Sequence, residues 1–166
     1  MITREQLLNS IQHDVNVCKH LYSKITPDRL NFRPTPGQRS LLELLQYLTV
    51  CGIAPISGLL TGDWTEARQA SEKSKENRFE DFCNAMDRQM AEIKKMVHDI
   101  PEADFQSKEV SLPTGQKSVL GQALLNFPLK FMAAYRMQLF LYLKESGLSE
   151  LNTYNAWMGI DKPMDM

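Results

Sequence analysis

Histidine and cysteine are scarce in this chain, with three of each among 166 residues (His13, His20 and His98; Cys18, Cys51 and Cys83). That scarcity limits metal chemistry first. A helical metal pair needs ligands at i,i+3 or i,i+4, so that both side chains face one ion. No HxxxH, HExxH or ExxH is present. There is no CxxC pair, and an odd number of widely spaced cysteines is not a disulfide framework. Three reduced thiols in a cytoplasmic protein are expected. Charge of one sign is also lacking: 19 Lys and Arg stand against 20 Asp and Glu, a net charge of −1. Without a basic excess, no nucleic-acid partner is expected, nor adhesion to an acidic membrane. The start, Met1-Ile2-Thr3-Arg4-Glu5, has no apolar core of a secretory leader. Phosphate-loop, dinucleotide and G-x-S-x-G fingerprints are missing as well.

One long apolar run tests the membrane question. Leu41 to Leu60 carries a single charge, Glu43, and about 20 such residues can span a bilayer. Gln46, Thr49, Gly52, Pro55 and Gly58 interrupt the run, and its ends show no Lys/Arg asymmetry. It reads as a central helix buried on several sides, with no membrane partner.

What is present is helical periodicity. Leu8, Ile11, Val15, Cys18, Tyr22 and Ile25 recur in steps of three and four, and Thr3-x-x-Gln6 is a capping box, so a helix is expected over 3–24. The prolines at 27, 34 and 36 make a loop. Ser40-x-x-Glu43 caps a second helix running to about Leu60, with a kink or end at Pro55. Asp63-x-x-Glu66 caps a short polar helix, and Asn77-x-x-Glu80 a third long one ending before Pro101. Val110-x-Leu112 and Pro113-Thr114-Gly115 suggest a small hairpin. The last helix spans about 118–146, with Leu120, Leu124, Phe127, Phe131, Tyr135, Gln138 and Tyr142 on one stripe and a kink at Pro128. The fold class is therefore all-α: a four-helix bundle with short extra helices and a small hairpin before the last long helix. One domain over 1–166 is expected, with the bundle over about 3–147 and a tail, 148–166, folding back over it.

Polar groups on apolar stripes are the remaining candidates. His13 and His20 fall opposite the first helix's stripe, on the solvent side, and His98 is exposed near a helix C-terminus. The cysteines fall on or beside apolar stripes and are expected as core filler. Tyr47, Tyr135 and Gln138 lie on inward faces, and such groups need hydrogen-bond partners when buried. Two readings stand, an internal polar network and a ligand pocket.

Three segments carry a family resemblance. Ile25-Thr26-Pro27-Asp28-Arg29-Leu30-Asn31-Phe32-Arg33-Pro34, then Pro36-Gly37-Gln38-Arg39-Ser40-Leu41-Leu42-Glu43-Leu44-Leu45-Gln46-Tyr47-Leu48, then Tyr135-Arg136-Met137-Gln138-Leu139 with Tyr142-Leu143 and Gly147, occur in the order and spacing of the DinB-like (DinB/YfiT) superfamily. The chain resembles that family over about residues 5–147. The resemblance implies a four-helix bundle, often a homodimer. Many such proteins hold a divalent metal with three histidines, one near the middle of the second helix and two in an HxxxH on the last. Several are transferases or isomerases dependent on mycothiol or bacillithiol.

Carried over by position, the second-helix histidine falls on Tyr47 and the HxxxH on Phe131 and Tyr135. The resemblance thus implies no metal and no cofactor. It implies instead a pocket at Tyr47, Phe131 and Tyr135, with Glu43, Arg136 and Gln138 as adjacent polar groups, suited to an apolar or aromatic small molecule. Catalytic residues are not identified. Two alternatives remain. One is a thiol-dependent transferase with unrecognised metal ligands, for which Glu43 is the nearest candidate. The other is a structural, dimerising bundle.

Overall fold

Thr3 opens the first helix as expected. Its hydroxyl accepts from the Gln6 backbone N–H, and its own N–H donates to the Gln6 side chain at 2.9 Å. The structure is a computed structural model that describes residues 3–163. Residues 1–2 of the expected leaderless start and 164–166 of the expected tail lie outside the described residues.

Four layers of helix make the bundle. They are α1 (Arg4–Tyr22), the pair α2 (Leu41–Leu48) and α3 (Ile53–Thr61), α5 (Phe82–His98), and the run from α7 (Leu120–Leu124) into α8 (Lys130–Glu145). The short α4 (Thr65–Ser74) lies against α3. The still shorter α6 (Glu102–Ser107), which no sequence signal indicated, follows Pro101. Strands β1 (Glu109–Ser111) and β2 (Lys117–Val119) form the expected antiparallel hairpin, Val110 opposite Ser118. Helix α1 packs between α5 and α8; α2 packs on α8, and α3 on α5. Leu8, Ile11, Leu44, Leu48, Ile56, Met86, Ile93, Leu124 and Leu139 are among the residues of one continuous apolar cluster. Each such side chain, fully buried, contributes about 1.5–3 kcal/mol.

The expected second long helix is in fact two, bent by 47°. The break falls at residues 49–52, one turn before Pro55. The reason is steric. A proline ring clashes with the carbonyl four residues earlier, while in the first turn of a helix its missing N–H loses nothing. Pro55 is therefore tolerated inside the first turn of α3 and forbids continuity with α2. Buried Gln89 on α5 then satisfies the broken backbone. Its carbonyl accepts from the Gly52 and Ile53 N–H groups at 2.9 and 3.2 Å, and its amide donates to the Leu48 carbonyl at 2.9 Å. No single helix among the described residues is long and apolar enough to cross a membrane; α2 and α3 pass such a test only together, as a bent pair.

Pro128 acts differently. It sits in a wide π turn, Leu125–Leu129, that joins α7 to α8 without a gap. A widened turn accommodates both the missing donor and the ring. Asn77 does not cap α5. Its side chain donates to Thr49 Oγ1 at 2.9 Å, and a 3₁₀ turn, Phe79–Asp81, leads into the helix. Trp64, rather than Asp63, is the residue flanking α4, with Asp63 Oδ1 accepting from the Thr65 N–H at 2.8 Å. The tail folds back as expected, its turn Tyr154–Met158 lying on α1 and α8. The solvent side assigned to His13 and His20 is thus where the tail docks. The His13 ring nitrogen lies 2.6 Å from the Trp157 carbonyl, and that of His20 lies 3.1 Å from the Asn155 amide.

Candidate functional site: an aromatic cleft beside α2 and α8

The Ser40–Glu43 capping box starts α2 and fixes its rotation, with both reciprocal bonds formed at 3.2 and 2.6 Å. Tyr47 follows one turn later, half-buried and pointing at α8. Its ring meets Tyr135 edge-on, centroids 4.8 Å apart. From Tyr135 the contact passes to Phe131 at 6.4 Å, on to Phe127 at 5.6 Å, and across to Trp64 at 6.2 Å. These edge-on and tilted geometries suit the ring quadrupole. Residues 127, 131 and 135 repeat every four positions, so one face of the last helix supplies three rings in a row.

Tyr47, Phe131, Phe127 and Trp64 line a cleft of about 480 Å³, whereas Tyr135, expected in the pocket, lies behind Tyr47 and Phe131 and does not line it. From α4, Ala67, Arg68 and Ser71 line the cleft as well, one helical face that continues from Trp64 just before the helix. Pro55 of α3 and Pro113 of the hairpin turn also line it. Trp64 reaches the cleft because Gly62, at φ +76°, turns the chain back at the end of α3. Its indole then lies flat against Gly58; a Cβ there would stand 2.6 Å from a ring carbon.

Arg39 completes the rim. Its guanidinium lies over the Tyr47 ring at 4.2 Å and near Tyr135 at 5.7 Å. A second, more polar cavity of about 350 Å³ shares Arg39, Tyr47 and Ser71 with the first, and Glu43 borders it. Glu43 does not enter the bundle. It pairs with Arg33 at 2.9 Å, and the Ser40 N–H, followed by Arg33, holds its carboxyl below the usual range. Burial and then the neighbouring Tyr135 phenol push the Tyr47 hydroxyl far above its ordinary value.

Two expected neighbours lie elsewhere. Arg136 is buried on the other side of α8. Its Nη1 donates to Asp14 Oδ1 at 2.7 Å, and its guanidinium lies 4.9 Å from the centre of the Trp157 ring. One residue along a helix is a rotation of about 100°, enough to carry it from the cleft to α1. Gln138 donates to the Tyr142 hydroxyl at 2.9 Å, and Tyr142 packs edge-on against Phe32, outside the cleft. Conversely, Trp64, Phe127, Arg39 and Arg68 were not anticipated as site residues. Of these, Phe127 was recoverable from its four-residue spacing to Phe131 and Tyr135. The cysteines are placed as expected, Cys18 and Cys51 buried and Cys83 half-buried.

The donor set of the wall is two phenols and a phenyl ring. Neutral phenol is a poor ligand beside imidazole, and the upward shift of Tyr47 works against a phenolate. Among the described residues, no group of three or more His, Cys, Asp or Glu is placed to hold a metal ion. These residues do not fit a three-histidine centre.

No protein-family profile matches the chain, and no curated protein matches its sequence. Its structure is similar to the crystal structure of a DinB-like protein, YjoA, from Bacillus subtilis. The TM-score is 0.65 at 21% identity, with 90% of this chain and 97% of that one covered. The α1, α2–α3, α5 and α7–α8 layers that frame the aromatic cleft are therefore those of a DinB-like fold.

Proposed function

We propose that the chain is a small-molecule-binding protein of DinB-like fold that works without a three-histidine metal centre. Its cleft takes an apolar or aromatic ligand. The observation carrying this reading is that Tyr47, Phe131 and Tyr135 meet in one aromatic cluster, of which Tyr47 and Phe131 line the cleft and Tyr135 backs them. By the resemblance in the sequence, these are the positions of the metal ligands. All three are aromatic, which favours a site remodelled for packing and stacking over one that has dropped a single ligand. The shared fold supports the placement of the helices; the chemistry rests on the side chains. A cleft of about 480 Å³ is of the size that commonly takes a small organic molecule.

Elemental analysis of untagged protein, purified without chelators, tests the reading. Zinc, nickel and iron far below one equivalent are expected. A full equivalent retained through gel filtration overturns it in favour of a transferase with unrecognised ligands.

A separate observation supports association of two copies. Trp157 and Met158 on the C-terminal turn and Ile160 just after it are 55%, 59% and 47% exposed, and large apolar side chains close together at a surface favour a partner. Light scattering should give twice the 19.0 kDa chain mass. A monomer at micromolar concentration overturns this part.

A further inference from the structure

We propose that the ligand is an amphipathic carboxylate: a flat apolar body against Trp64, Phe127 and Phe131, with its carboxylate held by Arg39 and Arg68. This rests on the reading of the cleft as a small-molecule pocket and adds the chemical class.

The charges lining the cleft are of one sign. Arg39 and Arg68 line it, and no Asp or Glu does. The acids nearby have other partners. Glu43 bonds to Arg33 and Ser40, Glu66 accepts from Ser57 Oγ at 2.7 Å, Glu72 pairs with Lys75 at 2.6 Å, and Asp63 accepts the Thr65 N–H. Neither arginine forms an ion pair among the described residues. The Arg39 guanidinium carbon lies 4.2 Å from the centre of the Tyr47 ring, and a cation–π contact of this kind uses none of the N–H donors that a carboxylate would engage. Arg68 makes one long bond, to Thr65 Oγ1 at 3.3 Å. Two guanidiniums beside an apolar wall form a site for a planar anion, because the guanidinium fork matches a carboxylate edge. The same pair repels a cation of equal shape, so the site selects by charge as well as by apolar area.

The chain has two tryptophans, so Trp157→Phe leaves Trp64 as a single reporter while keeping a ring over Arg136. Its indole N–H resonance is followed during titration with 2-naphthoate, 2-naphthylmethanol and 2-naphthylmethylammonium. The carboxylate should bind about tenfold or more tighter than the alcohol, and the ammonium weakest of the three. Adding Arg39→Gln and Arg68→Gln, both exposed positions, should bring the carboxylate's affinity down to that of the alcohol measured on the same variant. Equal affinity for all three probes, or a carboxylate preference that survives the double substitution, overturns the charge selection and leaves the pocket standing. If no probe moves the Trp64 resonance, the pocket reading falls as well.

Discussion

The Gly52 backbone N–H donates to the side-chain carbonyl of Gln89 at 2.9 Å, inside the core and across 37 positions of sequence. The Gln89 side-chain Nε2 donates in turn to the Leu48 carbonyl, so one buried side chain closes both sides of the break between α2 and α3. Since Tyr47 lies in the last turn of α2, that closure also sets where the aromatic wall begins.

Gln89→Leu keeps the volume and removes the bonds. Buried backbone groups left without partners should lower the unfolding free energy by about 3 kcal/mol. Urea denaturation followed by circular dichroism measures it. A loss under about 1 kcal/mol would mean that the break does not depend on Gln89.

Gly58→Ala addresses the cleft directly. The added methyl group would stand 2.6 Å from the Trp64 ring, so the indole must leave its place. The Trp64 emission should shift to the red, and naphthoate affinity should fall at least about tenfold through lost apolar contact. Unchanged emission and affinity would show that Trp64 is not held there.

The Asp14–Arg136 pair is buried, its side chains 7% and 6% exposed, and it joins α1 to α8. Arg136→Met strands a carboxylate and should cost about 3–5 kcal/mol, while Asp14→Leu with Arg136→Met should recover most of that. The pair also has a pH signature. Burial pushes the Asp14 carboxyl above its ordinary 3.8, with Arg136 and then His13 pulling it back. The folded state thus holds this proton more tightly than the unfolded state. The stability Asp14 contributes is full below pH 3.8 and is lost as pH rises through its raised folded value. The stability of the wild type relative to Asp14→Asn should therefore decline over that window in urea titrations at successive pH values.

Glu43 behaves in the opposite sense. The Ser40 N–H and Arg33 depress its carboxyl below 4.5. Its contribution is present above pH 4.5 and is lost as pH falls through the depressed value. Ser40→Ala should cost about 1 kcal/mol as a lost cap. Glu43→Gln should flatten the acid limb of the stability profile, and an acid limb identical to that of the wild type would contradict the assignment.

The legible parts of this protein are those in which cause and effect lie within a few residues. Both capping boxes, at Thr3 and Ser40, are formed as their three-residue spacing implied. The hairpin turns at Gly115, at φ +81°. The four-residue steps of the last helix put Phe131 and Tyr135 on one face, and the family-like spacing placed Tyr47 opposite them. Arg136 was misplaced for a related reason. Adjacency in sequence suggested adjacency in space, whereas successive residues on a helix face different neighbours.

The sequence by itself determined the apolar faces of the long helices, the caps at Thr3 and Ser40, and the aromatic identity of Tyr47, Phe131 and Tyr135. Those follow from local hydrogen bonding and from periodicity along one element. The tertiary structure alone decided that Gln89 closes the α2–α3 break, that Arg136 belongs to Asp14 122 positions away, and that Trp64, Arg39 and Arg68 belong to the cleft. Each of these joins separate helices or loops, and the packing that selects such partners depends on how whole elements fit together, which no short window of sequence encodes.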